Sequence, residues 1–268
     1  MSFTIKEGDK NHPNTPICIV KGGNSDGEII YVKKQDDINN NNPKLQLNPC
    51  KRFACDDGVF EQLPTDDVRV VYIAGKAGAG KSTYASNYIS KYKQLHKNAK
   101  FYCFSKLDSD PVIDKLKPLR INLSAEMIND PIEIDDIEEG SIILFDDSDN
   151  ITDKALQNAV ETLKGRILEL GRHRKLQCVI TSHLVNPNEK KSGRIIMNEL
   201  HCLVFFPQSG GQHGVKYCLK QYFGLSTSQV NKIVKLPGRW VMITQTYPGL
   251  ILTPHKGLMI NELDSEKI

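Results

Sequence analysis

Long apolar runs are missing from this chain. No stretch approaches the length needed to span a bilayer, and the opening MSFTIKEGDK has no apolar h-region, so neither a membrane span nor a signal peptide is expected. Charge of one sign is scarce too: a net charge of +3 is too small to argue by itself for a nucleic-acid partner. The seven cysteines, at 18, 50, 55, 103, 178, 202 and 218, form no C-x2-C pair, which removes the usual zinc signature. An odd number of thiols, several in apolar runs, reads as reduced and mostly buried in a cytosolic compartment. There is no internal repeat. No N-K-x-D guanine-reading segment occurs, since Asn231-Lys232-Ile233-Val234 lacks the acid, and this argues against a GTPase switch. What is there is a chain of 268 residues, 39% hydrophobic and 25% charged, with the balance of an ordinary soluble globular protein. That length allows one large domain, or one domain with a small appendage.

The chemistry enters at Gly75 to Thr83, which reads GKAGAGKST and fits the phosphate-binding pattern G-x-x-x-x-G-K-[ST]. The β-rich run Val68 to Ala74 precedes it and a helical pattern follows, the setting the motif requires. Gly75, Gly78 and Gly80 let the backbone turn tightly and approach a phosphate without Cβ atoms in the way. Lys76, Ala77 and Ala79 complete a loop whose N–H groups, with the positive end of the next helix, face the anion. Lys81 is expected to reach the β- and γ-phosphates of a nucleoside triphosphate and Ser82 to ligate Mg2+, with Thr83 closing the motif.

A second feature lies about 65 residues on. Ile142-Ile143-Leu144-Phe145 reads as a strand buried on both faces, and Asp146 and Asp147 follow at its C-terminal end. Open α/β sheets bind ligands at that edge. This is the form of a Walker B segment: Asp146 for the Mg2+ shell, Asp147 to polarise an attacking water. Asp149 is a third candidate, read as a turn residue. A helix over 153–170 follows, with Leu156, Ala159, Val160, Leu163, Ile167 and Leu170 on one face, Thr152 as a cap and Gly171 as its end. Arg172-His173-Arg174-Lys175 is then open between a basic surface turn and an arginine finger on a γ-phosphate, its own or a neighbour's. The buried strand from Leu176 ends in Thr181-Ser182-His183, any of which can serve as a γ-phosphate sensor.

The remainder sorts around this core. Thr15 to Val20 and Glu28 to Val32 flank the turn composition Gly22 to Gly27 and read as a β-hairpin. Asp36 to Pro43, with four asparagines, is a loop or linker. After the P-loop, Tyr84, Tyr88, Tyr92 and Leu95 form a helical stripe read as core, and Lys100 to Ser105 a strand. Ser105 to Pro118 and the basic stretch Glu189 to Arg194 read as loops. Ile195 to Leu200 is a helix and Cys202 to Phe206 another core strand. In the tail, Val215–Phe223 and Ser226–Leu236 read as two helices joined at Gly224, the second opened by a Ser226–Gln229 capping box. Few basic residues on that helix favour packing over a DNA-reading helix-turn-helix. Arg239–Thr244, Leu250–Leu252 and Gly257–Ile260 read as short β segments. The divisions are thus 1–64, a hairpin and linker region; 65–210, the P-loop core; and 211–268, an α+β extension packed on it. Alternating strands and helices make the core a three-layer α/β arrangement around a mainly parallel sheet.

Four landmarks together, GKAGAGKST at 75–83, IILFDD at 142–147, ELGRH at 169–173 and CVITSH at 178–183, resemble in order and spacing the DNA-packaging ATPases of large DNA viruses. These are the poxvirus-type branch of the FtsK–HerA superfamily. The resemblance covers roughly residues 65–210. It implies a RecA-like fold, ATP hydrolysis with Mg2+, a homo-oligomeric ring, and translocation of double-stranded DNA into a capsid. Capsid proteins would be further partners, and the host cytoplasm (the viral factory) and the virion the places of action. Carried onto this sequence, Lys81 and Ser82 bind the phosphates and Mg2+, and Asp146 and Asp147 take the Walker B roles. His183 stands where the superfamily usually has a sensor glutamine. Arg172 is the first choice for a contact across subunits, with Arg174 and Arg194 behind it. Two other readings stand beside the motor: a P-loop nucleotide or small-molecule kinase, and a non-catalytic nucleotide-binding assembly factor.

Overall fold

The structure is a computed structural model that describes residues 1–9, 13–33, 50–149, 151–185, 191–209 and 211–265. The asparagine-rich loop and Glu189–Lys190 lie outside the described residues. The chain begins with five short strands: β1 (Ser2–Thr4), β2 (Thr15–Lys21), β3 (Ile29–Lys33), β4 (Arg52–Ala54) and β5 (Val59–Gln62). Strands β2 and β3 form the expected hairpin, and a small antiparallel sheet runs in the order β1-β3-β2-β5.

The alternating region supplies β6 (Val70–Ala74), α1 (Lys81–Leu95), β7 (Phe101–Ser105), β8 (Leu119–Asn122), α2 (Glu126–Asn129), β9 (Ile142–Asp146), α3 (Lys154–Leu170), β10 (Gln177–Ser182), α4 (Lys191–Glu199) and β11 (Cys202–Phe205). The tail adds α5 (Gln212–Gln221), α6 (Thr227–Ile233), β12 (Val241–Thr244), β13 (Leu250–Leu252) and β14 (Lys256–Met259). A second sheet has ten strands in the order β4-β14-β13-β12-β11-β6-β10-β9-β7-β8. From β8 to β11 all neighbours are parallel; from β11 to β4 all are antiparallel. The tail strands therefore continue the core sheet, and β4 from the N-terminal region closes its edge.

The sheet is the middle of three layers. Strands β6, β9, β10 and β11 are buried at every position, as expected of parallel strands covered on both faces. Alternate residues of β6 face opposite ways. Val70 and Tyr72 join one core with Leu163 and Ile167 of α3, Met197 of α4, Cys218 of α5 and Val230 of α6. Val71 and Ile73 join the other, with Tyr84, Tyr88 and Tyr92 of α1 and with Val20 and Phe60 of the small sheet. The tyrosine stripe is thus core. Leu95 and Leu170, expected on the two apolar stripes, are exposed, because each is the last residue of its helix and has no sheet beneath it.

Two local readings need correction. The cap of α3 is Asp153, whose carboxylate accepts from the Leu156 N–H at 2.9 Å, and not Thr152. Gly171 ends α3 as expected, with φ −59°. Glycine is needed there because a Cβ would collide with the Ile167 carbonyl oxygen. Helix α4 starts at Lys191, so Arg194 lies on a helix rather than in a basic loop. The Ser226–Gln229 capping box is present at α6 as read.

Candidate nucleotide-binding and hydrolytic site

Because β6, β9 and β10 run parallel, their C-terminal ends open on one edge. Ser182 of β10 lies beside Ala74 of β6, and Ile180 beside Phe145 of β9. The P-loop, the paired acids and His183 meet there for that reason alone.

Within the P-loop, Gly78 (φ 75°) and Gly80 (φ 114°) occupy backbone conformations that side chains rarely adopt. Gly75 has a different constraint, since a Cβ would sit 2.7 Å from the Phe206 ring. Its N–H donates to the Ser182 carbonyl at 3.0 Å, which ties the start of the loop to β10. Lys81 is buried and folded back across its own loop. Its Nζ donates to the Gly75 carbonyl at 3.1 Å and lies 3.4 Å from Asp147 Oδ1. Lys76, Ala77, Gly78, Gly80, Lys81, Ser82 and Thr83 line a cleft of about 370 Å³. Facing them across it are Asp147, His183, Arg239 and the turn Asp110-Pro111-Val112.

The two acids are placed differently. Asp146 is 5% exposed and accepts from Thr181 Oγ1 at 2.8 Å and from Ser105 Oγ at 3.5 Å. Burial pushes its carboxyl up from the ordinary carboxylate range, opposed chiefly by the Thr181 hydroxyl. Asp147 leaves the strand at φ 43°, a left-handed conformation unusual for a non-glycine residue. That turn sends its carboxylate into the cleft, where Oδ2 lies 3.1 Å from His183 Nε2. The Asp147 N–H donates to Thr181 Oγ1 at 2.9 Å. One hydroxyl therefore accepts a hydrogen bond from the backbone of one acid and donates one to the side chain of the other.

The sensor candidates separate accordingly. Thr181 is buried between the acids and His183 borders the cleft. Ser182 Oγ donates to Asp149 Oδ2 at 2.6 Å. Asp149 is thus more than a turn residue, because it pins the 147–149 turn to the end of β10.

The arginines are not brought to this cleft. Arg172 is exposed and precedes β10, at the edge opposite the P-loop, with the strand's ~20 Å between them. It does not reach the phosphates of its own chain, because a parallel sheet puts all its strand starts on one side. Arg174 is committed to Asp135 Oδ1 at 2.9 Å and to the Ile137 carbonyl at 2.8 Å. Arg194 is exposed on α4. The arginine found at the cleft is Arg239, expected only as the start of a β segment that in fact begins at Val241. Its Nε donates to the Ala79 carbonyl at 3.3 Å and its guanidinium lies against Gly80. The bend Pro237–Trp240 before β12 carries it there, and nothing local in P-G-R-W announces a partner some 160 residues earlier.

The loop N–H groups and Lys81 are placed for an anion, and Ser82 and Asp146 are the hard oxygen donors that suit Mg2+. The sensor strand lies between the P-loop strand and the paired-acid strand, and all three ends meet in one cleft. Together these features define a RecA-like P-loop NTPase. The chain belongs to the family of the uncharacterized protein V3 of Sputnik virophage, to which it is 37% identical over 242 residues, 90% of this chain and 94% of that one. No protein-family profile matches it. Among solved structures it is similar to the genome packaging NTPase B204 of Sulfolobus turreted icosahedral virus 2 in complex with AMPPCP, with 13% identity and a TM-score of 0.46 over 71% of this chain and 99% of that one. It is also similar to the pCW3 conjugation coupling protein TcpA with ATPγS, with 12% identity and a TM-score of 0.48 over 94% of this chain and 79% of that one.

Proposed function

We propose that this protein is an ATP-hydrolysing motor that moves double-stranded DNA into a viral capsid as a ring of identical subunits. The observation that carries the hydrolytic part is Asp147. It is a left-handed acid held in the cleft between Lys81 and His183, beside a buried second acid. On ATP binding, Lys81 leaves Gly75 and Asp147 for the phosphates, and the loop N–H groups and Arg239 hold the anion from two sides. Asp147, still oriented by His183 and Thr181, then accepts the proton of an attacking water. A positioned base contributes about 10²–10⁴-fold. Ser82 and Asp146 would hold Mg2+, which when bound neutralises charge on the transferring phosphoryl group.

Ring assembly is supported by where Arg172 sits. A head-to-tail contact sets the strand-start edge of one subunit against the cleft edge of the next, which carries Arg172 to a neighbour's γ-phosphate. The kinship with a virophage protein and the four landmarks support a viral packaging role, with the virion and the host cytoplasm as its places. Among the described residues no helix is long and apolar enough to cross a membrane. The loop after β7 carries exposed Lys106, Lys115 and Lys117 and reaches the cleft through Asp110–Val112, so it links nucleotide state to a DNA-phosphate contact.

The test is phosphate release with and without duplex DNA, alongside solution mass. Duplex DNA should stimulate release in a salt-dependent manner, and Lys81→Ala should abolish it with melting preserved. Transfer to a small acceptor, or a monomer indifferent to DNA, refutes the motor. Turnover unchanged in Asp147→Asn refutes the assignment of the base. Mixing Arg172→Ala with Lys81→Ala should restore activity that neither has alone, and failure to do so refutes the trans arginine.

A further inference from the structure

Beside the phosphate cleft, on the far side of Arg239, lies a cavity of about 330 Å³. Arg239 lines both spaces. The cavity walls come from four parts of the chain: Glu61 and Gln62 of β5, Tyr84 and Asn87 of α1, Trp240 from the bend before β12, and His255 from the turn between β13 and β14. Asn87 lies six residues beyond Lys81 on the same helix, about 9 Å along its axis. That is the reach of a nucleoside from its phosphates to its ring.

The walls are built rather than incidental. The Tyr84 hydroxyl donates to Gln62 Oε1 at 2.6 Å, which fixes the tyrosine ring. Trp240 meets that ring edge-on at 5.1 Å. Asn87 Nδ2 donates to Glu61 Oε1 at 3.2 Å, and Lys91 holds the other carboxylate oxygen at 3.4 Å. This arrangement spends one of the two Asn87 amide N–H bonds on Glu61, which orients the amide, and leaves its carbonyl as an acceptor offered to a ligand. Across the cavity His255 Nδ1 lies 3.0 Å from the Gly58 carbonyl, so the tautomer that satisfies both makes Nε2 a second acceptor. An aromatic wall with acceptors at its rim suits a flat heterocycle carrying an exocyclic amine.

We propose that this cavity is the base subsite and takes the purine ring of the nucleotide whose phosphates lie on the P-loop. Trp240 and Tyr84 form its apolar wall, Asn87 accepts from the ring amine, and Arg239 spans ring and phosphates. The proposal rests on the nucleotide reading above. It makes the bound nucleotide a clamp between the small sheet, α1 and the tail.

Trp240 is the single tryptophan of the chain, so its fluorescence reports on this cavity. Full-length protein is titrated with ATP, ADP and inorganic tripolyphosphate. ATP and ADP should change Trp240 emission, whereas tripolyphosphate should compete for the loop and leave the emission unaltered. Asn87→Ala, at an exposed position, and Trp240→Leu should each weaken ATP binding by roughly tenfold and leave tripolyphosphate affinity at the wild-type value. Equal affinity of the wild type for ATP and tripolyphosphate, or variants that lose both alike, overturns the base subsite alone. No binding of either ligand overturns the nucleotide reading, and the subsite with it.

Discussion

Replacing Thr181 with valine removes one hydroxyl where the two acids meet and keeps the volume of the side chain. The lost bond to Asp146 is one to a buried charged group, worth about 1.5–3 kcal/mol, and the Asp147 N–H loses its acceptor at a cost of about 1 kcal/mol more. A total of about 3 kcal/mol in a chain of this size lowers the melting temperature by roughly 6–12 °C. The deficit should also depend on pH. Burial raises the Asp146 carboxyl on folding and the Thr181 hydroxyl pulls it back, so the variant holds it higher still. A carboxyl raised on folding binds its proton more tightly folded than unfolded. Stability therefore falls as pH rises from the unfolded carboxylate value through the raised folded one. Above that window Asp146 must ionise without its hydroxyl and the deficit is full; below it, with Asp146 protonated, the deficit shrinks. Thermal melts by circular dichroism across a pH series, without nucleotide, read this directly. ATP turnover should fall about 10–100-fold, the usual cost of losing a partner that orients a ligating carboxylate, and Thr181→Ser should recover it. A deficit of the same size at every pH would mean that Thr181 acts only through packing, and unchanged turnover would refute its role in placing the acids.

Gly171→Ala should cost about 1–3 kcal/mol in urea unfolding, because its Cβ meets the Ile167 carbonyl oxygen even though φ is ordinary; a neutral outcome would show that the end of α3 gives way freely. Lys164 is 6% exposed, donates to Ser148 Oγ at 2.8 Å and lies 5.1 Å over the Phe145 ring. Burial lowers its ammonium, so wild-type stability rises with pH from that lowered value up to the unfolded lysine range. Lys164→Met should flatten that rise and be at least as stable at neutral pH, by about 1 kcal/mol or more; a variant with the wild-type slope refutes the assignment. Arg69 is buried and donates to the Leu168 carbonyl at 2.7 Å at the end of α3. Arg69→Met should lower stability by about 2 kcal/mol through that orphaned carbonyl, measurable by urea denaturation.

The phosphate loop and the paired acids were legible because each part is local. A glycine loop with its lysine, and an apolar run ending in two acids, carry their geometry in a few consecutive residues. The order of strands and helices then places their ends together. Tyr84, Tyr88 and Tyr92 were legible as core for the same reason, since a helix repeats its face every few residues. Thr152 and Leu170 were misjudged at helix ends, where a cap or an apolar position depends on what lies beyond the last turn. Thr181 was one of three equivalent strand-end candidates until its neighbour strand was known.

The amino-acid sequence by itself determined that this chain carries a phosphate loop and a pair of acids on an alternating α/β core. The tertiary structure alone decided that Arg172 stands on the far edge and Arg239 beside Gly80. It alone brought β5, α1 and the bend before β12 around one cavity, and β4 to the edge of a sheet that the tail extends. Those contacts join residues that are distant in the chain, and the direction in which each strand crosses the sheet sets them. Local composition does not record that direction.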